Sequence, residues 1–166
     1  PCQDGIHVGG GSANGVIKNI IATRGSTNDD LIAFNADDAN WYCHNRGMKD
    51  APIKNMLVEN VKAEDCWTAV RLLSVVSEIS NVTVRNLTCG MREMGINLDA
   101  TRYAGDIIFN PDEFPDGVGN LKNILFENIT LYKTPDRKTA LVCAETNGDN
   151  VVFSGFTRLK NQERAN

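Results

Sequence analysis

The sequence predicts an all-β chain, folded as a right-handed single-stranded parallel β-helix of about five coils. Three observations carry that expectation. A short strand pattern recurs as Asp4-Gly5-Ile6-His7-Val8, Asp30-Leu31-Ile32-Ala33-Phe34, Thr68-Ala69-Val70-Arg71-Leu72, Met94-Gly95-Ile96-Asn97-Leu98 and Thr139-Ala140-Leu141-Val142-Cys143. Between these strands, asparagine pairs five residues apart recur as Asn14/Asn19, Asn55/Asn60, Asn81/Asn86 and Asn123/Asn128, with Asn150/Gly155 as a weaker last copy. No stretch sustains helical periodicity, while β-branched residues fill the strands and Gly, Asn and Asp mark the bends. An antiparallel sandwich would share the short strands, but not asparagine and apolar rows that keep register at a coil repeat.

Alternation of side chains along a strand assigns the faces. Aligning the five copies on Ile6, Ile32, Val70, Ile96 and Leu141 places these, with Val8, Phe34, Leu72, Leu98 and Cys143, on two inward rows. His7, Ala33, Arg71, Asn97 and Val142 then form an outward row. The asparagines suit the turn conformations between strands, and stacked amides can hydrogen-bond from coil to coil.

Taken in order, residues 1–25 give the first coil, residues 26–65 the second, 66–93 the third, 94–138 the fourth, and 139–166 the last coil with a polar tail from about residue 160. Anchor spacings of 26, 38, 26 and 45 residues fit a coil of about 26 lengthened twice. The two insertions run from about Asn35 to Ala51 and from about Thr101 to Gly119. Both follow the same strand, so they are expected to rise from one edge and flank the binding face.

Bulk properties exclude some classes. The chain has 166 residues, enough for one domain with a core, and its start within a repeat fits a piece of a longer β-helix. A net charge of −4 favours no nucleic-acid partner, and no apolar run is long enough to span a membrane as a helix. The five cysteines (Cys2, Cys43, Cys66, Cys89 and Cys143) are odd in number and lack metal-finger spacing. They read as buried small hydrophobes, which leans toward a reducing compartment.

Stacking creates the candidate chemistry. Adjacent coils lie about 4.8 Å apart, so Asp4 and Asp30 should stack at the edge of one sheet with Asp29 beside them. Three converging carboxylates raise at least one pKa by like-charge repulsion, and carboxylates with separated pKa values are what glycosidic bond hydrolysis needs. Two other readings stand beside this one: aspartates that merely serve the turns, and a site for a hard cation such as calcium. No cofactor or resident metal is expected. Around the acids, His7, Arg71, Asn97 and Asp99 are candidate substrate contacts, with Trp41 and Arg102 from the insertions.

On these residues the chain resembles the polygalacturonase-type glycoside hydrolases of family 28, which are right-handed parallel β-helices. The family's Asn-Thr-Asp motif is matched by Cys2-Gln3-Asp4, and its Gly-Asp-Asp motif by Asn28-Asp29-Asp30 ahead of Leu31-Ile32-Ala33. The resemblance implies a secreted enzyme acting on a pectin-like or other plant polysaccharide. It implies Asp29 as general acid, with Asp4 and Asp30 holding and deprotonating water in an inverting hydrolysis. The chain departs from the family where Gly-His-Gly is replaced by Trp67-Thr68-Ala69, and where Arg-x-Lys, which holds a galacturonate carboxylate, is replaced by Asn97-Leu98-Asp99. Those departures keep two other readings open: a carbohydrate-binding module without turnover, and a structural piece of a larger β-helix. The uncapped first coil, with Ile6, Val8, Val16 and Ile20 expected inward, predicts pairing of that end with a second copy or with further chain.

Overall fold

The structure, a computed structural model, describes residues 3–37, 49–100, 112, 117–134 and 139–162. Among them, every non-glycine residue with positive φ is an asparagine: Asn14, Asn19, Asn55, Asn60, Asn81, Asn86, Asn123, Asn128 and Asn150, all between 54° and 59°. Asparagine tolerates this left-handed region better than other residues with a Cβ, so each one turns the chain sharply without ending it as a strand. Long bent strands result. The elements are β1 (Ile6–Gly9), β2 (Ala13–Ala22), β3 (Ile32–Asn35), β4 (Ile53–Leu73), β5 (Ile79–Asp99), β6 (Leu121–Lys133), β7 (Val142–Glu145) and β8 (Gly148–Arg158).

All pairings are parallel, and they fall into two columns. In one, β1 pairs β3, β3 pairs the end of β4, that end pairs the end of β5, and β5 pairs β7. In the other, β2 pairs the start of β4, followed by the start of β5, then β6 and β8. The described residues are therefore all-β with a parallel sheet, and each layer of chain lies in register on the one before.

The asparagine rows become two hydrogen-bonded ladders. Side-chain amides run Asn55 to Asn14, Asn81 to Asn55, Asn123 to Asn81 and Asn150 to Asn123 at 2.9–3.1 Å. The second ladder runs Asn60 to Asn19, Asn86 to Asn60 and Asn128 to Asn86 at 3.2–3.3 Å. Gly155 closes the second ladder at φ 70°, where a Cβ would sit 2.7 Å from Asn128 Oδ1.

Between the columns lies one apolar core. Ile32, Val70 and Ile96 are fully buried in register, as are Val58, Val84 and Phe126 in the other column. Two expectations about facing are corrected. Val16 points outward at 60% exposure and Ile17 takes the inward place opposite Val58, because the bend at Asn14 resets the alternation. In the last layer Val142, not Leu141, pairs Ile96, so half-buried Cys143 falls opposite Asn97 rather than on an inward row. Cys66 and Cys89 are buried as expected, with their sulfurs 3.3 Å apart. At the last layer the core row ends on partly exposed Phe153 and Phe156.

The exits to the two insertions do stack: Asn35 pairs Leu73, and Leu73 pairs Asp99. The insertions themselves lie largely outside the described residues. At the first exit, Asp37 is fully buried, and its Oδ2 accepts three backbone N–H groups at 2.7 Å, from Val75, Val76 and Ser77.

Candidate functional site

Asp4 lies just before β1, and Asp29 and Asp30 just before β3. Backbone bonds tie these two corners together: Gly5 N–H donates to Asp30 O at 2.8 Å, Asp29 N–H to Gln3 O at 3.3 Å and Ile6 N–H to Leu31 O at 2.9 Å. A Cβ at Gly5 would lie 2.6 Å from Leu31 O, so the glycine is what lets the layers close up beside Asp4. The next layer continues the stack, with Trp67 N–H donating to Asp29 O at 3.0 Å and Leu31 N–H to Thr68 O at 2.8 Å.

The three carboxylates meet: one oxygen from each lies within 4.8 Å of the others. They differ in access, Asp30 being buried while Asp4 and Asp29 are half-buried. Burial pushes the Asp30 carboxyl up to about 6 from 3.8. The Arg71 guanidinium and the Thr68 hydroxyl oppose that rise, and the charges of Asp4 and Asp29 add to it. The same three carboxylates form a group of the kind that can hold a metal ion, and Arg71 brings positive charge beside Asp30.

The expected contacts divide into two kinds. His7 is exposed, with Nδ1 2.7 Å from Asp4 Oδ2. Arg71 pairs Ala33 on one side and Asn97 on the other, and this row is buried although it lies on the sheet's outer face. Arg71 is 5% exposed and reaches Asp99 Oδ2 at 2.7 Å and Asp30 Oδ2 at 3.7 Å. Asp99, at 4% exposure, is thus an ion-pair partner inside the protein. Asn97 is buried and pairs Arg71 in register. Trp41 and Arg102 lie outside the described residues.

Sequence reasoning missed the flank of the cluster. Trp67 is half-buried and outside the apolar core, with the Arg92 guanidinium 5.7 Å from its ring centroid. Arg92 also reaches Cys66 O, and lies 3.6 Å from the buried Asp65. The register of Trp67 with Asp29 was available from the aligned repeats and is the signal that would have placed it there. Comparison with family models, curated proteins and solved structures returned no match.

Proposed function

We propose that the chain is a right-handed parallel β-helix whose Asp4–Asp29–Asp30 cluster hydrolyses glycosidic bonds in a polysaccharide or its oligosaccharides. One observation carries the reading: three carboxyls from two adjacent layers lie within 4.8 Å, and one of them is raised to about 6. The in-register parallel strands and the two asparagine ladders support the fold.

The roles follow from access and proton affinity. Asp30, buried, takes up a proton below about pH 6. Asp29, half-buried beside it, relays that proton from Asp30 to the leaving oxygen as the bond from the anomeric carbon breaks. Asp4, steadied by His7, takes the proton of the attacking water, whose oxygen bonds to that carbon. The resemblance implies inversion. Inverting carboxyls usually stand about 6.5–9.5 Å apart, and retaining ones about 5–5.5 Å. The anomeric configuration of the first product, read by NMR, decides the stereochemistry.

A neutral sugar is favoured at the central subsite. Asn97 and Asp99 stand where the related family carries cations, and Arg71 is buried against Asp99 rather than offered to a ligand. A reducing-sugar assay across neutral and pectic polysaccharides tests the reading. Release from at least one of them, abolished in Asp29→Asn, is expected. Binding by calorimetry with no release from any would favour the module without turnover, a reading supported by the absence of the family's His and Arg-x-Lys.

A further inference from the structure

We infer that Asp99 is a positioning residue for the acid cluster: it holds the Arg71 guanidinium and thereby sets how much positive charge reaches Asp30. The geometry is a buried line of three charged groups from three successive layers. Asp30 precedes β3, Arg71 lies near the end of β4 and Asp99 ends β5. Their side chains are 6%, 7% and 5% exposed. One cation therefore serves two carboxylates in a place with little water to screen them. It does so unequally, at 2.7 Å to Asp99 and 3.7 Å to Asp30. A hydrogen-bonded charge pair is short and directional, so the nearer acid fixes the guanidinium and the farther acid receives only what remains of its field.

Other groups act on Asp30 among the described residues. Asp4 comes from the layer before, with His7 behind it, and Asp29 is its chain neighbour. From the following layer come Arg71, the Thr68 hydroxyl and the buried Cys66 thiol. Among the described residues, Arg71 is the cation beside Asp30, so moving it changes the field on that carboxyl. If Asp99 loses its charge, Asp30 becomes the one carboxylate of the pair and the guanidinium settles on it.

The inference rests on the acid–base reading only for its consequence, because the test needs no turnover. Carboxyl carbon NMR of the full chain, with the Asp30 signal assigned by its loss in Asp30→Asn, reads the titration midpoint directly. In the wild type, Asp30 should titrate between pH 5 and 7, as its burial against a weakly shared cation requires. In Asp99→Asn, which keeps size and an acceptor oxygen, the midpoint should fall by about one pH unit or more, the usual effect of an adjacent arginine. Asp99→Glu, which keeps the charge, should stay nearer the wild type than Asp99→Asn does. An unchanged or higher midpoint in Asp99→Asn overturns the inference, and so does an Asp99→Glu midpoint as low as that of Asp99→Asn. Should Asp99→Asn fail to fold, the wild-type measurement still decides: a midpoint for Asp30 below pH 4 would show that Arg71 already serves Asp30. If hydrolysis is never found but the midpoint falls, the function is wrong and the positioning stands.

Discussion

Replacing Asn86 by alanine separates the two contributions of the asparagine ladder. Asn86 has φ 56°, donates its amide to Asn60 Oδ1 at 3.2 Å and accepts from Asn128 Nδ2 at 3.2 Å. Alanine removes both hydrogen bonds. Each is worth about 0.5–1.5 kcal/mol net, and the exposed position places these two toward the lower end. Alanine must also hold the left-handed backbone, which costs an L-residue roughly 1–2 kcal/mol. The sum is about 2–3 kcal/mol. For a chain of this size that lowers Tm by roughly 4–12 °C. Asn86→Gly loses the same bonds but keeps the backbone freedom, as Gly155 does at the last corner of the same ladder, so it should cost about 1–2 kcal/mol. Urea unfolding of the three proteins, with equal m-values, gives the comparison. If Asn86→Ala is as stable as Asn86→Gly, backbone conformation is not what the asparagines are for, and the argument for the corners fails.

The remaining predictions concern the site and the ends. Asp30 is raised in the folded chain to about 6 from 3.8, so the folded state holds its proton more tightly than the unfolded one. Stability from this group is therefore full below about pH 4, falls as pH rises to about 6 and is flat above, a loss on the order of 2–3 kcal/mol. Asp30→Asn should remove that slope and leave the protein more stable than the wild type at pH 8, as denaturant unfolding at several pH values will show; equal slopes would refute it. Asp29→Asn should lower turnover by about 10²–10⁴-fold with substrate binding kept, and a wild-type rate would remove Asp29 as the acid. Initial rates on neutral oligosaccharides should exceed those on polygalacturonate, and the reverse order would mean that a cation other than Arg71 meets the substrate. Light scattering should give twice the 18.2 kDa chain mass if the end bearing Ile6, Val8 and Ile17 pairs with a second copy, whereas a monomer at high concentration would contradict that pairing.

The repeat was legible in the sequence because stacking layers impose local rules. Each corner needs a residue that accepts positive φ, so asparagine recurs at a fixed offset, and each inward position must be apolar, so the rows of Ile32, Val70 and Ile96 can be aligned by eye. The meeting of Asp4 with Asp29 and Asp30 followed from the same register. Two facings were not legible: Val16 turns outward beyond the bend at Asn14, and in the last layer Val142 rather than Leu141 pairs Ile96. A one-residue shift exchanges faces, and nothing local to either segment reports it.

What the sequence determined by itself is the repeat, its parallel register and the gathering of the acids, all of which depend on spacing along the chain. What only the tertiary structure decided is the electrical state of those acids. Arg71 was read as an outward cation that a ligand could use, yet the outer face of its strand is buried and its guanidinium is held by Asp99. Asp30, one of two adjacent aspartates in the chain, is the one that burial pushes up to about 6. Burial and the choice between competing partners depend on what the remaining layers place around a group, and distances in space, unlike register, are not written in the spacing of residues.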